Sequence, residues 1–361
     1  MVVSSEVSYH GYSVSQFFGF VTNQPQEVLP TDPSRFPDLG TLERGLSDVL
    51  LSERARLAQC AKVSGGQVAV VSRETSDYSS TFASESVDCR LPDGQELTVF
   101  CKYSHGHRHA EPSPRRGLLF EADVYDYVLR PLALPQVRCY GNYREPFSGE
   151  TWLVLEYLPD ALWASHSFSL DAMSDSAKWI AGFHAFNRDR IHESALAFLP
   201  RYAANDYRFW SQRTWTLCEA AGLTPDWLRP RCQHYEQVCV PLLAAQAPTV
   251  IHGEFTPRNS LWHAGEIKPV DWETTAFGVG ETDLAILTYD WDDDTIAACE
   301  HVYQQTRWPD GSPHFFREVL RAARLYAAFH WIYGGSEEIH PKDIESHLGE
   351  LRKVSDREGW T

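Results

Sequence analysis

The chain contains no run of about 18 uninterrupted apolar residues, so no segment qualifies as a membrane-spanning helix. Its first thirty residues lack a basic start followed by an apolar block, so no secretion signal is expected there. Cysteine is scattered (Cys60, Cys89, Cys101, Cys139, Cys218, Cys232, Cys239 and Cys299) with no CxxC pair. Such scatter argues against a disulfide framework or a clustered zinc site and points to free thiols in the cytoplasm. Positive charge is short as well. A formal net charge of −17 leaves little cationic surface to face phosphates, which speaks against nucleic-acid binding. The acidity either serves solubility or favours a cationic small substrate. No Gly-x-Ser-x-Gly element supports a hydrolase, and no GxGxxG follows the first strand to support a dinucleotide fold.

What is present is ample core material. Of 361 residues, 43% are hydrophobic, including 12 tryptophans and 18 phenylalanines, enough for two ordinary domains or one two-lobed unit. Residues 1–60 read as an N-terminal extension ending in a helix, because Leu42, Leu46, Val49, Leu50 and Leu57 fall at helical spacing. Strands are expected at 68–71, 82–91 and 97–102, the last two joined by the turn residues Pro92-Asp93-Gly94. A helix at 117–129 and a buried strand at 152–158 complete a small lobe over residues 61–158. Beyond Pro159 the apolar spacing becomes helical, at 174–187, 205–221, 231–245 and 314–331, with one β-rich interruption at 250–272. The expected architecture is α+β: a small sheet lobe, a larger mainly helical lobe over 159–361, and a ligand cleft between them.

The interruption carries the chemistry. It runs from His252-Gly253-Glu254 through Asn259 to Asp271-Trp272-Glu273. Magnesium prefers hard oxygen ligands, often one or two from the protein beside nucleotide phosphates. Asn259 and Asp271 supply such a pair if the flanking strands form a hairpin. Glu254 lies close enough along the chain to approach a substrate hydroxyl beside the metal. Isolated carboxylates are more often solvated or capping groups, so composition alone does not decide the matter.

With Gly278 and Asp283-Leu284-Ala285 added, the order and spacing resemble the catalytic core of the aminoglycoside phosphotransferase and choline kinase group, relatives of the protein kinases. The resemblance covers about residues 68–331. It implies a bilobal protein-kinase-like fold that moves the γ-phosphate of ATP to a hydroxyl of an aminoglycoside-, amino alcohol-, sugar- or nucleoside-like molecule. Asn259 and Asp271 would hold Mg2+, Lys102 the phosphates, and Glu121 the lysine. His252 and Asp283 would brace the catalytic loop, and Glu273 would either orient the groups around Asp271 or stand as a surface residue at a strand end. The adenine would meet the linker strand near Glu156 and Leu158. The phosphate-covering loop would use Ser79 and Ser80, since residues 73–82 contain no glycine. The plainer readings are a surface lysine, a solvated glutamate and an ordinary polar turn.

One position departs from the family pattern: Glu254 stands where an aspartate is expected. Basicity is similar, but reach differs by one methylene, and misplacement of about 1 Å can cost roughly a hundredfold. The alternative function is therefore a catalytically impaired module that binds nucleotide for regulation or partner binding. Two further features invite interpretation. The acidic run Asp290-Trp291-Asp292-Asp293-Asp294 suits either a cationic acceptor or a helix start. The loop His105-Gly106-His107-Arg108-His109, followed by Arg115 and Arg116, either touches phosphates or is simply exposed.

Overall fold

The computed structural model describes residues 36–57, 66–76, 82–104, 115–165, 170–332 and 341–359. Helix α1 (Leu39–Leu57) begins at Asp38, whose carboxylate accepts from the Thr41 N–H at 3.0 Å, as an N-capping side chain does. Its Leu42, Leu46, Val49 and Leu50 are buried, as their spacing predicts, whereas Leu57 is exposed. These leucines share a core with Val87, Val99, Trp152 and Val154 of the sheet. At Gly45 the helix comes so close that a Cβ would lie 2.3 Å from the Trp152 ring. Part of the N-terminal extension is thus built into the small lobe.

The sheet has five antiparallel strands in the order β1-β2-β3-β5-β4. They are β1 (Ala69–Thr75), β2 (Ala83–Arg90), β3 (Glu96–Tyr103), β4 (Cys139–Arg144) and β5 (Thr151–Glu156). Gly94, at φ +86°, closes the β2–β3 hairpin, a conformation that suits glycine. Strand β1 runs further than its β-branched start suggests. Strand β4 carries little apolar signal in Cys139-Tyr140-Gly141-Asn142 and holds its place by pairing with β5, whose Trp152–Leu155 is apolar and buried. Helix α2 (Leu118–Asp123) continues through a π-type turn (Val124–Leu129), closed by Arg130 N–H donating to Tyr125 O at 3.0 Å.

The larger lobe contains α3 (Leu170–Asn187), α4 (Ala204–Ala220), α5 (Leu228–His234), α6 (Val240–Ala244), α7 (Glu281–Leu287), α8 (Asp293–Arg307), α9 (Phe316–Trp331) and α10 (Pro341–Arg357). The helix expected over 231–245 contains a wide π-type turn at Tyr235–Cys239, and Pro241, which has no N–H to donate, follows it in the first turn of α6. Strand β6 (Leu162–Trp163) pairs with β8 (Ser260–His263), which pairs with β9 (Glu266–Pro269). Strand β7 (Thr249–Ile251) pairs with β10 (Ala276–Gly278). The hairpin required at 250–272 therefore exists, but it consists of β8 and β9; the Val250 strand pairs elsewhere. The fold is bilobal, an antiparallel sheet lobe beside a mainly helical one. Among the described residues no helix is long and apolar enough to cross a membrane, and the seven described cysteines are free.

Candidate active site

Strand β3 is bonded on both sides, with Lys102 opposite Ser84 and Leu153, so the lysine is presented from the middle of a sheet. Its Nζ donates to Glu121 Oε1 and Oε2 at 3.0 and 3.1 Å and to Asp271 Oδ1 at 2.9 Å. One ammonium thereby joins a strand and a helix of the small lobe to a loop of the large one. Glu121 is fully buried, and Lys102 is 14% exposed. Burial opposes the Lys102 charge, but Asp271 and Glu121 outweigh it and hold its pKa above the ordinary lysine value. Burial pushes the Glu121 carboxyl up against the pull of Lys102. For Asp271 the balance falls the other way: burial raises it, and Lys102 brings it below the usual carboxylate range.

Asn259 and Asp271 stand at the open end of the β8–β9 hairpin, where Val270 N–H donates to Asn259 O at 2.9 Å. The Asn259 amide N–H donates to the Glu254 carbonyl at 3.0 Å, which orients the amide and leaves its oxygen for another partner. Asp271 sits at φ +70°, a strained conformation for a non-glycine residue of the kind that clusters at functional sites. Here two cations, Lys102 and Arg115, face four carboxylates: Glu121, Asp271, Glu254 and Glu273. The carboxylates outnumber the cations, and with the two hard oxygen donors Asn259 and Asp271 they fit a divalent cation such as magnesium.

The Glu254 loop is braced from below. Asp283, on α7, accepts from the N–H groups of His252 at 2.7 Å and Gly253 at 2.9 Å, and it pairs with His184 Nε2 at 3.0 Å. His252 contacts Val270 O through Nε2 at 3.0 Å, while its Nδ1 accepts from the Glu254 N–H at 3.3 Å. These partners fix the tautomer, and burial lowers the His252 pKa, keeping the ring neutral. Gly253 has φ +87°, and a Cβ there would lie 2.5 Å from Thr274 O, so glycine is required.

Glu254 itself is 16% exposed. Its carboxylate receives Arg115 Nη2 at 3.1 and 3.4 Å and lies 3.5 Å from His330 Nε2. Burial raises its pKa, but the His330 imidazole beside it and the Arg115 charge more than reverse this, taking it to about 2. Glu273 is almost wholly buried, so it is not a surface group at a strand end, and it faces Arg115 Nη1 at 3.5 Å. Arg115 was legible only as one arginine in a basic loop. His184 and His330 lie on helices with no local motif; only the tertiary fold brings them to the loop.

Glu156 Oε2 accepts from the Arg138 N–H at 3.1 Å and lies 3.4 Å from Lys268 Nζ, tying the end of β5 to β9 across the lobes. Leu158, half-buried, packs on the main core. Ser79, Ser80 and the His105–His109 loop lie outside the described residues. The acidic run is a helix start: Asp292 caps α8, accepting from Thr295 N–H and Oγ1 at 2.8 Å each. Asp293 lies 3.9 Å from Arg357 of α10.

The model of the phosphotransferase enzyme family, APH, matches residues 89–318. Among solved structures, the GDP and kanamycin complex of APH(2")-IIia is 13% identical, with a TM-score of 0.58 over 85% of this chain and 99% of that one. The GDP complex of aminoglycoside 2'-phosphotransferase-IIIa is 12% identical, with a TM-score of 0.58 over 85% and 98%. Choline kinase from Cryptosporidium parvum is 11% identical, with a TM-score of 0.55 over 79% and 90%. At such identities the likeness is one of fold. No curated protein matches the chain in sequence.

Proposed function

Because this chain belongs to the phosphotransferase enzyme family, we propose that it transfers the γ-phosphoryl group of ATP to a hydroxyl of a small molecule in the cleft between its lobes. The observation that carries this reading is Lys102, bonded at once to Glu121 and Asp271. Phosphoryl transfer asks mostly for positioning and charge stabilisation. Lys102 would hold the nucleotide phosphates, with Glu121 keeping it extended toward the cleft. The linker at Glu156 and Leu158 would meet the base, and Ser79 and Ser80 would cover the phosphates. Asn259 and Asp271 would hold magnesium, which when bound neutralises phosphate charge and fixes phosphate orientation. Glu254 would receive and orient the acceptor hydroxyl, on a loop braced by His252 and Asp283, with Glu273 acting through Arg115.

The nucleotide lobe in this reading spans residues 61–158 together with α1, and residues 159–361 form the catalytic lobe. The free cysteines suit a cytoplasmic setting. GDP in two similar structures supports nucleotide use, and kanamycin and choline kinase in these comparisons favour an aminoglycoside-, amino alcohol- or sugar-like acceptor.

A second reading, a nucleotide-binding module without turnover, draws on the carboxylate of Glu254, which its partners hold down to about 2. A group that acidic is a weak base. In a loose transition state, however, orientation of the hydroxyl matters more than early proton removal, which favours the enzyme. Purified protein with Mg-ATP and a panel of aminoglycosides, amino alcohols, sugars and nucleosides decides between the two. Phosphate transfer that Glu254→Gln abolishes, with nucleotide affinity kept, is expected. Nucleotide binding with no turnover across the panel establishes the second reading, and unchanged turnover in the variant removes Glu254 from its role.

A further inference from the structure

Glu254 raises a problem of reach. A glutamate carries its carboxylate about 1.5 Å, one carbon–carbon bond, further than the aspartate of the family pattern. Its backbone has no room to retreat. The Glu254 N–H is bonded to His252 Nδ1, its carbonyl accepts from Asn259, and Gly253 before it packs on Thr274. Any correction must come from what touches the carboxylate.

Among the described residues two cationic or ionisable groups reach it, one from each lobe. Arg115 lies just before α2 and divides its guanidinium between Glu254 and Glu273. His330 lies near the end of α9, and its Nε2 is 3.5 Å from Glu254 Oε1. The His330 ring is seated edge-on to Trp210, with centroids 4.4 Å apart at 63°, and is 8% exposed. Its other nitrogen, Nδ1, is buried with no hydrogen-bond partner among the described residues. A buried ring nitrogen without a partner is unfavourable, and a phenylalanine would fill the same aromatic nest without that defect. Among the described residues the imidazole makes one polar contact, the one to Glu254.

We infer that His330 is a positioning residue: its Nε2–H tethers the Glu254 carboxylate from the α9 side, against Arg115 on the other, so that the longer side chain presents its oxygen at the depth suited to the acceptor hydroxyl. The tether restricts the carboxylate without contacting substrate. The kinetic consequence rests on the phosphotransfer reading above; the structural consequence does not.

The test compares the full-length protein with His330→Phe and His330→Gln. Phenylalanine keeps the ring packing and removes the donor, while glutamine places an amide N–H near the position of Nε2. His330→Phe is expected to lower kcat roughly tenfold to a hundredfold with melting temperature and Mg-ATP affinity kept, and His330→Gln to restore much of the loss. In a Glu254→Asp background the shorter carboxylate no longer reaches the tether, so adding His330→Phe should cost less than it does alone. A merely structural histidine predicts the opposite order, with phenylalanine tolerated and glutamine impaired, and that order overturns the inference. Crystal structures of the wild type and His330→Phe give a reading that needs no turnover. A displaced Glu254 carboxylate supports the tether, and an unmoved one overturns it. If the wild type transfers no phosphate, the function reading fails while the crystallographic comparison still decides this one.

Discussion

Two corners of one cleft use the same ingredients and hold them differently. At Lys102 a single cation is bonded to two carboxylates, with its backbone fixed by sheet register on both sides. At Glu254, among the described residues, a single carboxylate is approached by two groups, one from a loop and one from a distant helix, and one of these has a ring nitrogen with no partner there. The first corner is complete within itself, whereas the second is adjusted from outside. Charge in a buried site is cheapest to maintain when each group has a fixed partner, so the first corner should be the less tolerant of change.

The sharpest way to break that comparison is Lys102→Ala. It strands Glu121 and Asp271 without their cation, so the protein should lose about 3–5 kcal/mol of stability, as when one member of a buried pair is removed. Residual folded enzyme should lose on the order of 10²–10³ in kcat, as for removal of a preorganised charge-stabilising donor. Denaturant unfolding and phosphate transfer together check both figures, and a variant as stable as the wild type would show that the two carboxylates are accommodated in another way. Asp283→Ala tests the bracing common to the Glu254 loop. It leaves the His252 and Gly253 N–H groups and His184 without their acceptor, for an expected loss of roughly 2–4 kcal/mol from buried unpaired donors. Transfer should suffer more than Mg-ATP affinity, because the loop carries Glu254 and not Lys102.

The two corners also differ in how far they are legible in the sequence. Lys102 and Glu121 sit on elements whose periodicity is plain, and His252, Asn259, Asp271 and Asp283 follow one another at short spacing along the chain. Local pattern places such residues because the elements that bear them are neighbours. Arg115 and His330 reach Glu254 only after α2 and α9 have docked, and no periodicity records that. The same holds for β4 and for the pairing of β7 with β10. Strand β4 is a segment of mixed polarity that becomes a strand beside an apolar neighbour, and β7 and β10 are only three residues each, too short for periodicity to record which strand they pair with. The fold class was legible because strand patterns dominate before Pro159 and helix patterns after it; the exact hairpin was not.

Acid stability sharpens the contrast further. The Glu254 carboxyl is held at about 2 against an ordinary value of 4.5. A depressed carboxyl contributes stability that is fully present above the unfolded value and is lost as pH falls through the folded one. Unfolding free energies of the wild type and Glu254→Gln should therefore lie furthest apart above about pH 4.5 and converge as pH falls toward about 2, because Arg115 keeps its charge throughout that window. A difference that does not change between those limits would mean that the Arg115 and His330 contacts do not favour the charged form.

The smallest effect concerns a region outside both corners. Asp292 belongs to an acidic run that invites a substrate role, yet both of its oxygens are engaged with Thr295 at the start of α8. Asp292→Ala should cost about 1 kcal/mol, the usual loss on removing an N-cap, and should leave KM for cationic and neutral acceptors in the same ratio. Removing an acceptor-binding carboxylate would act selectively, weakening cationic acceptors at low ionic strength and less at high salt, where exposed charges are screened. KM ratios measured at two salt concentrations separate these outcomes. A selective, salt-dependent rise for cationic acceptors would make the α8 start part of the acceptor site and would extend the outside adjustment of the Glu254 corner to a third element.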